Sequence, residues 1–364
     1  ITTGDYNTAL GYQAGDAVTT GLSNTFIGGR AGTATTTAGY NTAVGDRSFQ
    51  TNTTGANNVA MGWATMSSNT TGAENTALGR SALSSNTTAS YNTAVGRDAL
   101  LANTTGTQGT AVGRNAGAAN TTGNYNTFIG DGSGDANTTG ASNTAIGQDS
   151  LGANTTGATN TALGRNALLA NTTAANNTAV GYSSLGANTT GASNTAVGRQ
   201  ALLSNTTGTQ NVSLGGDSLE SNTTGNYNAA FGVNALKANT TADNNTAVGK
   251  SALAANTTGA ENVAVGSNAL DACTTGGGNV GIGVNSLGAL TTGAGNTAIG
   301  DDSVASGVVT GSYNTALGNS SMDALTSGTL NVAVGRLALA ANTTASNNTA
   351  VGTSALAANT TGAS

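Results

Sequence analysis

Apolar residues recur along the chain at a fixed interval of 17 positions. Most units open with Asn-Thr-Ala-apolar-Gly, first at Asn7 and Asn24 and then every 17 residues until Asn296. One extra residue then moves the register to Asn314, so the sequence holds 21 units, of which one, residues 296–313, has 18 residues. A strict repeat of this length predicts a solenoid whose coils stack only on their neighbours. We therefore predict a single repeat domain over residues 1–364.

Numbering each unit from 1 at its opening Asn shows what each position tolerates. Position 4 is apolar in every unit, position 9 is mostly Leu, and position 5 is always Gly. A short apolar segment ending in Gly, a second short segment, and then Asn-Thr-Thr-Gly together predict two brief strands and two turns per coil. Gly, Thr and Asn at these densities oppose a helix. The predicted fold is all-β, a parallel β-solenoid or β-roll of about 21 coils.

Glycine positions differ in how strictly they are kept. Position 5 allows no side chain, which indicates either a positive φ or a second backbone too close for a Cβ atom. Position 15 is usually Gly, but Ala38 and Ala89 replace it in two units. The turn at position 15 therefore does not strictly require a positive φ.

Position 12 indicates which side chains face inward. It is Asn in 15 units but Val18, Cys273, Leu290 and Leu325 elsewhere, and Ile1 occupies the same position in the leading fragment. A site that exchanges Asn for apolar residues is expected to be buried, with the Asn amides stacked as a ladder between coils. Cys273 is then a small buried hydrophobe rather than a nucleophile.

A second covariation concerns the strand residues at position 3. Phe26 and Phe128 are the aromatic residues at this position, which is normally Ala. These two units and the unit before each carry Gly at position 9, namely Gly15, Gly32, Gly117 and Gly134. Positions 3 and 9 are therefore predicted to share one packed space, because close-packed interiors tolerate neither overfilling nor voids.

Position 4 follows position 3 in the strand and should point to the opposite face. Because both positions are apolar, both faces of the strand look buried. One solenoid core covers only one face, so the other would leave an apolar stripe larger than soluble monomers normally expose. We therefore predict a lateral partner, with further copies of the same chain as the natural candidates.

The repeat resembles a known family. Asn92 to Ala99 and Asn194 to Ala201 resemble the head motif of trimeric autotransporter adhesins, and the longer form from Asn160 to Ala174 is similar to repeats of bacterial surface proteins and phage tail fibres. The resemblance implies a left-handed parallel β-roll wound as a trimer. The period of 17 is longer than the repeat usual in adhesin heads.

Composition argues against catalysis and several partner classes. There is no His, which removes common catalytic triads and imidazole metal sites, and the Gly-rich segments lack the Lys of a phosphate loop. Only 7% of residues are charged, which argues against nucleic-acid binding. No apolar run approaches the roughly 20 residues of a membrane span. We expect no enzyme, no cofactor, and no catalytic or metal site. Gly130 to Asp135 weakly resembles a calcium turn with Asp131 and Asp135 as ligands.

Three function classes fit a repeat of this kind. The leading one is a non-enzymatic extracellular fibre shaft or adhesin repeat, on a cell surface or virion, that mediates or presents attachment. A repetitive glycan-binding surface is the first alternative, built on a basic ladder and on exposed tyrosines: Arg80, Arg97 and Arg114; Tyr6, Tyr40, Tyr91, Tyr125, Tyr227 and Tyr313. Ice binding through Thr at positions 13 and 14 is the second, although adjacent Thr residues should point to opposite sides.

Three smaller expectations concern particular segments. The Asn-Thr-Thr triplets match the acceptor pattern for N-linked glycosylation. The structural constraints of the repeat account for these triplets without any attached glycan. The chain begins and ends inside a repeat without a polar cap, so further repeats or axial self-stacking are expected. The extra residue near Ser306 to Val309 should form a local bulge without ending the stack.

Overall fold

The computed structural model describes residues 3–362. Each coil in this range consists of one short strand followed by a series of turns. Ile1, which belongs to the position-12 column by its place in the repeat, lies outside the described residues. The strands β1–β21, three residues each, are Thr8–Leu10, Thr25–Ile27, Thr42–Val44, Val59–Met61, Thr76–Leu78, Thr93–Val95, Thr110–Val112, Thr127–Ile129, Thr144–Ile146, Thr161–Leu163, Thr178–Val180, Thr195–Val197, Val212–Leu214, Ala229–Phe231, Thr246–Val248, Val263–Val265, Val280–Ile282, Thr297–Ile299, Thr315–Leu317, Val332–Val334 and Thr349–Val351.

The coils divide into two compact units, Ile1–Ala179 and Val180–Ser364. In the first, β1 to β10 pair in sequence order, all parallel and displaced by one repeat. In the second, β12 to β21 pair in the same way. The predicted all-β parallel solenoid with a repeat of 17 is therefore confirmed.

The predicted second strand of each coil is wrong. Positions 6 to 11 form consecutive turns, and positions 7 and 9 take positive φ, as at Asp98 (φ 60) and Leu100 (φ 48). A bulky residue rarely adopts this conformation unless its surroundings impose it. Here the next coil does so, because the Leu100 N–H donates to the Ala116 carbonyl at 3.0 Å while the side chain stays buried.

Glycine at position 5 has both of the features that the sequence suggested, a positive φ and a neighbouring backbone close to where a Cβ atom would lie. Gly45 has a φ of 132°, and a Cβ atom there would lie 2.4 Å from the carbonyl oxygen of Gly62, one coil away. Position 15 differs, since Gly55 does not have a positive φ. A Cβ atom on Gly55 would also lie close to the next coil, 2.2 Å from the Gly72 carbonyl oxygen, so the positive φ at position 5 is the feature that distinguishes the two positions.

The extra residue is accommodated by a bulge at the predicted place. Val309 is buried and pairs with Leu290 in an isolated parallel bridge, whereas Val308 beside it is exposed. Strands β18 and β19 still pair in register across the longer coil, with Thr297 opposite Thr315. The stack therefore continues through the insertion, as expected.

Candidate binding surface

Two columns of buried asparagine hold the coils in register beneath the surface. In the predicted ladder at position 12, the Asn69 Nδ2 donates to Asn52 Oδ1 at 2.9 Å and to the Gly72 carbonyl at 3.0 Å. The same pair of bonds recurs at Asn103, confirming the prediction of a buried amide ladder. Each amide thus links two coils and closes the turn of its own coil.

The second column, at position 1, was not predicted. The Asn58 Nδ2 donates to the Gly72 carbonyl at 3.0 Å, and the Asn58 N–H donates to Asn41 Oδ1 at 3.0 Å. The available signal was Asn in 20 of 21 units, with Gly109 as the departure. An almost invariant residue offers no substitution pattern that would indicate burial, so burial of this column could not be predicted.

The compensation between positions 3 and 9 is confirmed at both aromatic coils. A Cβ atom on Gly32 would lie 2.5 Å from the Phe26 ring, and one on Gly134 would lie 2.4 Å from the Phe128 ring. The glycines of the preceding coils, Gly15 among them, are similarly close. Side chains at position 9 are therefore absent where the ring occupies the shared core space.

The rigid core presents a surface that we call the strand face, formed by the side chains at positions 2 and 4 of the strands. In β2 to β21 the middle residue, position 3, is buried, while position 4 is half-buried or exposed. The apolar side chain is 43% exposed at Met61 in the first unit and 38% exposed at Val248 in the second, and exposure is highest in the terminal strands, at 67% for Leu10 and 71% for Val351. Each unit therefore carries an apolar column on the outside of its sheet.

Position 2 gives the two units different strand faces. It is Thr in nine of the ten strands β1 to β10, with Val59 as the exception. In β12 to β21 it is apolar in five strands, at Val212, Ala229, Val263, Val280 and Val332. The strand face of the second unit is thus the more apolar of the two.

The arginines predicted to form a basic ladder are all exposed, as expected for a solvated position 6. The Arg114 Nη2 lies 2.6 Å from Asp131 Oδ2, and this hydrogen bond raises the pKa of Arg114. Arg97 lies 3.5 Å from Asp98. The Arg80 guanidinium lies 5.6 Å from the centroid of the Trp63 ring, a cation–π contact. Two of the three predicted cations are therefore neutralised by carboxylates.

The six tyrosines all project into solvent from position 17. Their exposure runs from 56% at Tyr91 and Tyr227 to 88% at Tyr6. The backbone has positive φ at each of them, for example 59° at Tyr40. Because the coil holds the backbone in one conformation here, the rings leave the same side of the coils that carry them within each unit, although these coils are not consecutive.

The two threonine columns considered for ice binding have different surroundings. At position 13 the Thr53 hydroxyl donates to the Thr70 carbonyl of the next coil at 3.0 Å, a bond repeated by Thr70 and Thr87. At position 14 the side chain is exposed, as at Thr54. Only one of the two columns therefore presents its side chains freely to solvent.

The candidate calcium turn has one of its carboxylates already engaged. Asp131 is paired with Arg114, and burial raises the pKa of Asp135, which disfavours its charged form. Within residues 3–362 no three acidic, His or Cys side chains are grouped so as to hold a metal ion.

A polar groove lies beside the 18-residue coil and has a volume of about 460 Å³. Asp271, Asp302 and Asp323 contribute to its lining, and burial raises the pKa of Asp271. Two of the carboxylates accept protein hydrogen bonds, from Asn285 Nδ2 to Asp302 at 3.0 Å and from the Ser306 hydroxyl to Asp323 at 2.9 Å. Hydrogen bonds within the protein therefore already use part of the acceptor capacity of the groove.

Cys273 is a buried free thiol, as predicted. Its sulfur donates to the Gly276 carbonyl at 3.5 Å, and burial raises the thiol pKa to about 11. The thiol also interrupts the amide ladder, because Asn256 Oδ1 has no hydrogen-bond partner below it. Protonated and enclosed, this thiol is suited to packing rather than to nucleophilic attack.

Comparison of the sequence with protein-family models and with curated proteins finds no match. In the described part of the chain no helix has the length and hydropathy needed to cross a membrane. The class of protein that the fold defines is a repetitive parallel β-solenoid.

Proposed function

We propose that this chain is the non-enzymatic repeat region of an extracellular fibre shaft or adhesin, on a cell surface or virion, in which copies associate laterally through the strand face. The observation that carries the proposal is the apolar column at position 4, which stands half-exposed beside a fully buried position 3. The resemblance of the repeat to trimeric adhesin heads favours three copies wound as a left-handed β-roll.

Energetics support a partner on this face. Burying an apolar side chain such as Val248 or Phe231 contributes about 1.5–3 kcal/mol when it moves from full exposure to full burial, and these side chains are already partly covered. A column of such side chains on successive coils sums to a substantial association energy. The second unit offers the larger gain, because position 2 adds valines beside the position-4 column.

The same arrangement suits a mechanical role. Neighbouring coils are joined by backbone hydrogen bonds and, in most coils, by two amide ladders, so a local opening breaks several bonds at once. A solenoid of this kind resists bending at any one coil and can hold an attachment domain away from its anchor.

Light scattering after size exclusion tests lateral association on the chain as it exists. We expect a mass three times that of one chain, and a lower mass for Val248→Asp, which places a charge in the apolar column. Lys250→Asp is the matched control, because Lys250 lies at the exposed position 6 of the same coil. A monomeric wild-type protein, or equal masses for all three proteins, would refute the proposal.

A repetitive glycan-binding surface is a second candidate, favoured by the exposure of all six tyrosines at position 17. Exposed aromatic rings offer flat apolar faces with a polar tip, which suits carbohydrate binding. Binding to immobilised glycans should weaken in Tyr125→Ala and Tyr227→Ala and persist in Tyr182→Ala, at position 6. Absence of glycan binding by the wild-type chain would remove this candidate.

A further inference from the structure

The sequence contains two structurally different kinds of Asn-x-Thr triplet. Asn-Thr-Thr occurs 15 times with its Asn at position 12, and Asn-Asn-Thr begins at position 17 at Asn176, Asn244 and Asn347. Both kinds match the acceptor pattern for N-linked sugars, in which the glycan is carried on the Asn Nδ2. The exchange of Asn for apolar residues at position 12 already predicts that the Asn of the first kind is buried.

The fold closes the position-12 triplets. Asn103 is 1% exposed, and its Nδ2 donates to Asn86 Oδ1 at 3.0 Å and to the Gly106 carbonyl at 2.9 Å. An amide nitrogen has two N–H donors, so both are in use. A sugar on this nitrogen would replace one donor and would need space that the close-packed column does not have.

The fold leaves the position-17 triplets open. Asn244 and Asn347 are exposed, with φ of 61° and 62°, a left-handed conformation that Asn tolerates better than most residues. Neither side-chain amide bonds to another group in the described part of the chain. At Asn176 the Oδ1 accepts a bond from the Thr159 hydroxyl at 2.7 Å, which leaves Nδ2 directed to solvent.

The third residue of each open triplet is also within reach of solvent. Thr246 is half-buried and Thr349 is exposed, each at position 2 at the start of a strand. The middle residue, Asn245 or Asn348, belongs to the buried position-1 column. An open triplet thus exposes its acceptor amide on the folded chain, while its Thr lies on the strand face and is accessible only where no second copy covers that face.

We propose that Asn176, Asn244 and Asn347 are N-glycan acceptor sites on the folded coils, and that folding closes to modification the 14 Asn-Thr-Thr triplets whose Asn is buried, which are all but the one at Asn359. The transfer uses a nucleotide-activated hexose. A bond forms between sugar C1 and Asn Nδ2, the C1–O bond to the nucleotide diphosphate breaks, and one amide proton leaves through a base of the transferase. No oxidant or reductant is needed.

Modification before folding and modification after folding would affect the solenoid differently, which goes beyond the fibre function. A chain that meets a glycosyltransferase before it folds exposes all of its Asn-Thr-Thr triplets. Sugars added there would remove ladder donors and prevent coils from stacking. Modification after folding decorates the solenoid, whereas modification before folding disrupts it.

A soluble asparagine N-glycosyltransferase and UDP-glucose are added to the folded Val248→Asp chain, whose strand face is expected to be free, and the modified peptides are mapped by mass spectrometry. We expect hexose at Asn176, Asn244 and Asn347, at least about tenfold faster than at Asn103, because access to a closed site needs local opening. Thr246→Ala should abolish modification at Asn244 and leave Asn347 unchanged.

Co-expression with the same enzyme provides the unfolded comparison, since the chain is then exposed before it folds. We expect hexose on the Asn-Thr-Thr triplets and a loss of soluble folded protein. Modification of Asn103 as fast as Asn244 in the folded chain would overturn the proposal. Failure to modify Asn244 in the folded chain, when co-expression does modify it, would overturn it equally.

Discussion

The break in the position-1 column at Gly109 provides a sharp test of the ladder. In an intact part of the column, the Asn143 N–H donates to Asn126 Oδ1 at 2.9 Å. Gly109 has no side chain, although its own N–H still donates to Asn92 Oδ1 at 2.8 Å. The N–H of Asn126, a residue only 1% exposed, therefore donates to no acceptor within residues 3–362.

We expect Gly109→Asn to stabilise this coil. A Cβ atom on Gly109 would lie 3.1 Å from Asn92 Oδ1 and 3.5 Å from Leu100 Cδ1, so only a small adjustment is needed, and φ is not left-handed. Satisfying a buried unpaired donor is worth about 1–3 kcal/mol. Replacing Gly adds about 0.4–1 kcal/mol by restricting the unfolded chain.

Gly109→Ala is the matched control, because it gains the Cβ atom and the unfolded-state effect but no acceptor. Amide hydrogen exchange at Asn126 reports the difference directly. With a factor of ten for each 1.4 kcal/mol, exchange in Gly109→Asn should be about tenfold slower than in Gly109→Ala. Equal exchange rates in the two variants would refute the role assigned to the position-1 side chain.

Further predictions concern the buried columns. Asn103→Leu should lower the free energy of unfolding in urea by about 3 kcal/mol, because Asn86 Oδ1 loses its hydrogen-bond donor. Cys273→Leu should lower it by about 1 kcal/mol or less. The cost is small because Leu already occupies this position in other coils. Gly134→Leu should lower the melting temperature by overfilling the space beside Phe128, and Phe128→Ala should rescue it. The Cys273 thiol, with its pKa raised to about 11, should stay protonated and react slowly with a disulfide reagent until the pH approaches that value.

Each of these predictions has a clear contrary result. Similar losses for Asn103→Leu and Cys273→Leu would mean that the amide bonds contribute little beyond packing. Additive rather than compensating effects at Gly134 and Phe128 would show that the two side chains do not share a space. Rapid thiol modification of the native chain near pH 8 would show that Cys273 is not enclosed.

The features that sequence predicted well are those where substitutions reveal the environment. Position 12 exchanges Asn for Val, Leu and Cys, and this exchange alone was enough to infer its burial. The Phe26 and Phe128 coils revealed a shared core volume because the glycines at position 9 changed with them. The strand at positions 2 to 4 followed from its β-branched residues and the Gly that ends it.

The features that sequence missed depend on backbone conformation imposed by neighbouring coils. Leu at position 9 suggested a second strand, yet Leu100 has a φ of 48°. Intrinsic preference disfavours that conformation, so only the stacked coils, with their fixed inter-coil hydrogen bonds, make it favourable. The position-1 ladder was missed for a different reason, because its residue hardly varies.

The most direct test of the account is whether a second copy covers the strand face in solution. Cys273→Ser removes the native thiol, and Val248→Cys or Lys250→Cys then places one thiol in the apolar column or at the exposed position 6 of the same coil. We expect the Val248→Cys thiol to be protected from a maleimide reagent and to cross-link between chains on oxidation, while the Lys250→Cys thiol reacts at the rate of a free thiol. Equal labelling of both thiols, without interchain cross-links, would contradict it.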